Sequence, residues 1–444
     1  MGHEPLNGNS EPQRFEPGGP LVGSLTPPAD KSISHRAAII GAIADGPTRV
    51  INFLDSDDTR STLSAVANLG AMINPEPGDF MPDELTIDGV GPGGPRSLGR
   101  IDVGNAGTLM RLLPGWIAGY DGGLWRMNGD ASIRGRPVDR IADPLRLMGA
   151  EIEVTDDRFP PIRIDGRRLH GIEYELPVAS AQVKSCLLLA GLRAQGPTTV
   201  IEPLATRDHT EVMLEAAGAK IEREAGRVTV WPSSNLKLDQ VEVPADISSA
   251  AFFLVAGSIV PGSRIALERI GINPTRTGIL NILDRMGAEI EIEPQSAGSG
   301  DGGGEAIGRV TVRSAELQGT RIEGREVPLA IDELPLVALA ACFAEGETVI
   351  ADAQELKRKE SDRIAVVVDS LKGLGAQIEA TADGMVITGS GGLRGGTVNS
   401  HGDHRIAMLG AVAGIASDEG VGVLDMEAAS VSYPGFAADL GRIS

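Results

Sequence analysis

"MGAEIEV", residues 148–154, is one copy of a phrase on which the architecture turns. Other copies read "LGAMI" at 69–73, "AGAKIER" at 217–223, "MGAEIEI" at 286–292 and "LGAQIEA" at 374–380, and a degenerate "LGRIS" stands at 440–444. In each, Gly-Ala closes an amphipathic helical pattern and opens a short alternating strand, glycine being suited to the left-handed cap. Upstream of each copy a Gly turn leads into a strand ("GPTRVIN", "GGLWRMN", "GPTTVIE", "GSRIALE", "GETVIAD", "GVGVLDM"). Before that comes a run apolar on nearly every side ("AAIIGAIA", "TLMRLLPGWIAG", "SCLLLAGL", "AAFFLVAGSIV", "LVALAACFA", "IAMLGAVAGIA"). A helix apolar all round belongs in a domain interior. The chain therefore reads as six units, each with a buried helix, a strand, a solvent-facing helix and closing strands. Their spacing of about 66–88 residues exceeds a solenoid repeat and predicts two domains of three units each.

Composition narrows the function. The 444 residues suffice for two large domains, and aromatics at 3% require an aliphatic core. A net charge of -21 argues against a nucleic-acid binder, yet an acidic enzyme can bind anions where its few cations converge. Cys186 and Cys342 each lie in an apolar run, which predicts buried thiols, no disulfide framework and a cytoplasmic setting. The longest apolar runs fall short of the ~18–20 residues of a membrane span, so no membrane is expected. "MGHEPLNGNSEPQRFEPGGP" has no signal-peptide pattern, and residues 1–15 read as a disordered polar tail. "SAGSGDGGGEAIG", 296–308, reads as a flexible hairpin insert without chemistry.

The chemistry collects where the helices begin. The buried helices open on "DKSISHR", "GNAGT", "ASAQVK", "ADISSA", "IDELP" and "GDHR", the outer ones on "DSDDTR", "RGRP", "TRDHTE", "NPTR", "KESDR" and "SYPGF". Capping explains the Ser, Thr, Asp and Asn. It does not explain Lys31, Arg36, Arg136, Arg207, Lys359, Arg363 and Arg405, because cations oppose the dipole at a helix N-terminus. If these starts face one cleft, free backbone N–H groups and cations make a strong anion site for phosphate and carboxylate groups. Glu360 lies between Lys359 and Arg363, which would share a face on a helix, and is a candidate acid/base group. Asp332 is a candidate base or simply a cap. "GNAGT" lets a ligand approach the backbone but lacks the P-loop lysine, and "HGDH" at 401–404 has no evident third ligand, so no metal is expected.

Taken in order, "DKSISHR", "GNAGT", "RP" at 136–137, "SAQVK", "RDHTE", "NPTR", "IDELP", "KESDR" and "DHRIAM" resemble the 5-enolpyruvylshikimate-3-phosphate synthases, from about residue 20 to 436. "SAQVK", "RDHTE" and "NPTR" resemble the bacterial subclass called class II. The resemblance implies an α/β (α+β) fold of two similar domains, each of three βαβαββ units with sheets over buried helices, the inside-out barrel of the enolpyruvyl transferases. It implies crossovers near 29–30 and 243–244, hence one domain of 30–243 and another of 1–29 with 244–444, the site lying between them. The implied reaction transfers the carboxyvinyl group of phosphoenolpyruvate to the 5-hydroxyl of shikimate 3-phosphate through a tetrahedral intermediate, without metal or organic cofactor. The protein would serve aromatic amino acid biosynthesis, be a monomer, and be open to the inhibitor glyphosate.

The same resemblance implies roles by position. Lys31, Ser32, Arg36, Ser180, Ala181, Gln182, Arg207, Asp332 and Lys359 match shikimate 3-phosphate contacts. Lys31, Asn105, Gly107, Arg136, Gln182, Arg363 and Arg405 match phosphoenolpyruvate contacts. Lys31, Asp332 and Glu360 match the catalytic groups. Two positions depart from the pattern. Ala29 stands where a glycine is usual, and Val431 where many relatives carry a lysine, so the segment around Val431 is left out of the expected site. Gly107 leaves room for glyphosate, while Leu112 and the class II pattern lean toward tolerance. The sister transferase acting on UDP-N-acetylglucosamine uses a loop cysteine near the position of Arg136, where "GDASIRGRP" has none. A non-catalytic binder of a phosphorylated metabolite would not need both Asp332 and Glu360.

Overall fold

The computed structural model of the chain describes residues 11–75, 83–96, 99–296 and 304–444. Six helices are buried on nearly every face: Lys31–Ile43, Gly107–Ile117, Ala181–Gly191, Ile247–Ile259, Leu334–Phe343 and His404–Ala416. These are the six apolar runs of the sequence. Four have a side-chain N-cap that accepts from the first-turn backbone: Asp30, Ser180, Asp246 and Asp403. The outer helices, such as Gly278–Arg285 with Ile279, Leu280, Ile282 and Leu283 buried, present one apolar stripe. The repeated Gly-Ala works as a left-handed cap, since Gly70, Gly149, Gly218, Gly287 and Gly375 all have φ between 87° and 114°.

Each core helix runs into the second strand of a small mixed sheet. In the first, Pro47–Ile51 pairs in parallel with Gln240–Glu242 and antiparallel with Glu84–Asp88, which in turn pairs with Met72–Asn74. The same order recurs in four more four-stranded sheets. The sixth differs. Val421–Leu424 pairs in parallel with Gly396–Asn399 and takes its antiparallel neighbour from Gln13–Phe15. Part of the expected tail is therefore a strand, and Phe15 joins the core. Three residues of "QRF" give no readable alternation, and only the distant partner at 421–423 orders them. Residues 1–10 lie outside the described residues. The Gly-rich insert joins two paired strands, Glu289–Ser296 and Ile307–Arg313, and its residues 297–303 are outside the description.

The expected inside-out barrel is not formed. Among the described residues no sheet closes on itself: there are five separate sheets of four strands and one of three. A barrel requires every edge strand to find a neighbour. Here the outer strands, such as Met72–Asn74 and Gln240–Glu242, have none beyond them. What joins the three sheets of each half is packing on the apolar helices. One hydrophobic core gathers buried side chains from Ala29 to Val243, the other from Phe15–Leu25 and Ala245–Ile443. The chain crosses between them twice, side by side. Asp30 N donates to Pro244 O at 2.8 Å, and Asp246 N donates to Pro28 O at 2.8 Å.

Within the first core, Gly107–Ile117 and Ala181–Gly191 press together at Gly115, where an added Cβ would lie 2.1 Å from the Cys186 carbonyl oxygen. This contact sets the spacing of the two helix starts that bear Gly107 and Gln182. Gly115→Ala should therefore destabilise the protein by about 1–3 kcal/mol. Denaturant unfolding would measure it, and an unchanged midpoint would show that the helices are not held this closely.

Candidate functional site

A cavity of about 580 Å³ lies between the two cores. Every candidate residue named from the sequence borders it. The first core contributes Lys31, Ser32 and Arg36 from one helix start, Asn105 and Gly107 from the next, Ser180, Ala181 and Gln182 from the third, and Arg136 and Arg207 from loops. The second contributes Asp332, Lys359, Glu360, Arg363 and Arg405. The helix starts converge because all six core helices point the same kind of end at the interface, so free N–H groups and cations face one volume.

The two acids sit where the halves meet. Asp332 Oδ2 is 2.5 Å from the Arg207 guanidinium of the opposite half, and Asp332 Oδ1 accepts from Lys359 Nζ at 2.9 Å. Arg363 reaches the same oxygen at 3.4 Å. Burial works to raise the Asp332 carboxyl, but Lys359, Arg207, Arg405 and Arg276 outweigh it and hold it well below the usual carboxylate range. Glu360 accepts from Arg363 at 2.6 Å and lies 3.5 Å from Arg136 across the cleft. Burial again opposes, yet Arg363, His404, Arg136 and Lys359 hold its pKa well below normal. Lys359 and Arg363 do not share a helical face, as their spacing suggested. A 3-10 turn ends at Arg358, Lys359 is extended, and the helix begins only at Arg363. They meet at Asp332 because the loop folds back.

Residues 15–440 match the EPSP synthase (3-phosphoshikimate 1-carboxyvinyltransferase) family profile. The chain is 48% identical over 428 residues to a 3-phosphoshikimate 1-carboxyvinyltransferase of Bacillus cereus, covering 96% of this chain and 97% of the relative. A relative with the same description from Bacillus thuringiensis is also 48% identical, with the same coverage. Among solved structures, an EPSP synthase from Acinetobacter baumannii superposes with a TM-score of 0.85 at 43% identity, covering 97% of this chain and 98% of that one. The chain belongs to the EPSP synthase family. It is an enzyme of the shikimate pathway and catalyses carboxyvinyl transfer to 3-phosphoshikimate.

Several groups of this family member's cleft carried no role in the sequence reading. Asp58 accepts from Lys31 Nζ at 3.0 Å and keeps that ammonium at the cavity edge. Asp403, the cap of the last core helix, binds Arg363 through both oxygens at 2.9 and 3.2 Å. Glu333 accepts from Arg276 at 3.2 Å and lies 3.5 Å from Arg405, which also donates to Ser248 Oγ at 3.0 Å. Arg140 donates to both Glu355 oxygens across the cleft at 3.0 and 3.1 Å. Arg276 and Glu333 stood inside the quoted "NPTR" and "IDELP", but nothing in one sequence says that they meet. Val431 and Ser432 also line the cavity, so the segment left out of the expected site borders it without supplying a cation.

His35 and Ser34 serve structure. Burial pushes His35 down to about 4, and its Nδ1 lies 2.6 Å from Thr62 Oγ1. Ser34 Oγ donates to Asp30 O and accepts from Leu54 N. Arg36 is also more enclosed than a free ligand would be. It donates to Thr210 Oγ1, Ser185 Oγ and Ser32 O, at 2.7, 3.0 and 2.9 Å.

At the crossing, the two capping acids Asp30 and Asp246 oppose each other. Burial, and then the Asp30 charge, push Asp246 up to about 7. The folded protein therefore holds a proton there that the unfolded chain releases near pH 4. Stability from this group is complete below about pH 4 and is lost as pH rises to about 7. Asp246→Asn keeps a capping acceptor and removes the titration. Its stability relative to the parent should climb between pH 4 and 7 and level off above. A difference independent of pH would contradict the assignment.

Proposed function

We propose that shikimate 3-phosphate and phosphoenolpyruvate fill this cleft with Asp332 and Glu360 as the proton-handling pair. The observation that carries the reading is that each carboxylate is kept ionised by cations from both halves, cations that the substrates' anionic groups would claim on binding. The shikimate phosphate takes Arg207 with Ser180, the Ala181 N–H and Gln182, loosening the Arg207 hold on Asp332. Ser32, Arg36 and Lys359 orient the ring, and Asp332 accepts the proton of the 5-hydroxyl.

Phosphoenolpyruvate takes Lys31, Arg136, Arg363 and Arg405, beside Asn105, Gly107 and Gln182. Its charge competes with Glu360 for Arg363 and Arg136, so the Glu360 pKa rises as the substrate binds. The acid then protonates the methylene carbon while the 5-oxygen bonds to the central carbon, giving the tetrahedral intermediate. Elimination breaks the central carbon–phosphate oxygen bond, the departing phosphate carries off the proton that Asp332 took from the 5-hydroxyl, and the methyl proton returns to Glu360 as the double bond reforms. Fixed cations stabilise the charge that develops throughout. Lys31, tied to Asp58, is the alternative donor. Both halves of the site come from one chain, which supports action as a monomer, and two buried free thiols support a cytoplasmic setting.

Phosphate release should require both substrates together. Glu360→Gln and Asp332→Asn should each lower kcat by about 10²–10⁴-fold while both substrates still bind. Equal loss of binding would make the two acids structural instead.

Glyphosate should compete with phosphoenolpyruvate with intermediate potency. A Cβ at Gly107 would lie 3.2 Å from Arg136 Nη1 and 3.0 Å from Arg111 Nη1, so a methyl there pushes on the phosphoenolpyruvate clamp. Gly107→Ala should raise the inhibition constant, and an unchanged constant would refute this.

A further inference from the structure

The segment Thr206–Glu211 uses every side chain, in two directions. Thr206, Thr210 and Glu211 bind inward within their own half, to Glu202, to Arg36 and Ser185, and to Lys184. Arg207, Asp208 and His209 reach outward across the cleft, Asp208 also accepting from Arg223 of its own half at 3.1 Å. Only Arg207 of these three meets the reacting groups.

The other two build a separate polar junction. Asp208 Oδ1 accepts from Asn273 Nδ2 at 2.8 Å and from Thr275 Oγ1 at 3.1 Å, and Asp208 N donates to Thr275 Oγ1 at 3.3 Å. Asn273 Nδ2 also donates to Glu305 Oε2 at 2.9 Å, and His209 Nδ1 donates to Glu305 Oε1 at 2.7 Å. His209, Asn273 and Glu305 are 1%, 7% and 6% exposed. None of the five residues lines the cavity. Asn273 and Thr275 come from the "NPTR" loop, and Glu305 lies within the segment 296–308 that was expected to be an insert without chemistry.

We propose that Asp208 and His209 with Asn273, Thr275 and Glu305 form a latch that holds the two halves closed and couples closure to the phosphate end of the site. The proposal rests on the substrate reading above for the role of Arg207. Opening the cleft must break these bonds, and the groups on each side would have to find water instead. The latch shares one stretch of backbone with Arg207, which fixes the direction of coupling. A phosphate that orders Arg207 aligns Asp208 and His209 for docking, and docking completes the phosphoenolpyruvate clamp, whose Arg363 and Arg405 lie on the other half. These five are positioning residues, since closure alone links them to the chemistry. Loosening the latch lowers the closed fraction and raises the apparent constant of the ligand that needs both halves.

The test uses the full chain and the variants Asp208→Ala, Asn273→Ala and their double, with Thr275→Val as a milder change should either fold poorly. Removing one partner of the junction should raise the KM for phosphoenolpyruvate about 10-fold, with a smaller effect on kcat. The double variant should be no worse than the poorer single. Small-angle scattering without ligand should show a larger radius of gyration for the variants than for the parent. A defect confined to one half would lower kcat, leave KM unchanged and add across the double variant, and so overturn the latch. Variants equal to an active parent in KM and in scattering would discard the latch and keep the substrate reading. An inactive parent with the scattering difference intact would keep the latch and discard that reading.

Discussion

One guanidinium carries the organisation of the cleft. Arg363 is 1% exposed and touches three carboxylates: Asp403 behind it, Glu360 at 2.6 Å and Asp332 at 3.4 Å. A buried cation is tolerated only when paired, and removing one partner leaves the others exposed to the full cost of desolvation. Asp403 meets that need permanently and caps the last core helix as well. Glu360 and Asp332 are then free to be partners whose claim on Arg363 can be contested by an anionic substrate. The same logic repeats at Lys31 with Asp58 and at Arg405 with Glu333. Asp403, Asp58 and Glu333 hold the cations in place, and Asp332 and Glu360 share them.

The fold provides this arrangement by repetition. Six apolar helices begin at the interface, so every unit delivers an N-terminus and its flanking side chains to one volume. The aliphatic core follows from that demand, because helices packed on all sides need small, closely fitting residues such as Gly115 against the Cys186 backbone. The acidic surface and the cationic cleft are compatible for the same reason: the cations are gathered where the helices start.

Much of this was legible in the sequence. The repeated Gly-Ala marked five helix ends, and the left-handed glycines carry out that role, whereas Gly441 of the degenerate sixth copy lies inside the helix Phe436–Ile443. The six apolar runs are the six buried helices. Cations at helix starts pointed to an anion-binding cleft, because the dipole makes them costly there unless an anion offsets the charge. What escaped was long-range. "QRF" at 13–15 becomes a strand only through residues 421–423. Separate sheets replace the expected barrel because helices, not strand edges, join them. Lys359 and Arg363 meet through a folded-back loop instead of a helical turn. Glu305, beside a Gly-rich stretch, and Asn273, in a loop, find His209 and Asp208 across the interface. Pairings between side chains far apart in sequence leave no local pattern to read.

The central claim is that substrate anions take over the cations that keep Glu360 ionised. Carbon-13 NMR of side-chain-labelled glutamate, with Glu360 assigned by comparison with Glu360→Gln, measures its titration directly. In the free protein the carboxyl should stay ionised to well below the usual range, and with shikimate 3-phosphate and an unreactive phosphoenolpyruvate analogue bound its pKa should move upward. A Glu360 resonance that titrates identically in the free and doubly bound protein would contradict the account.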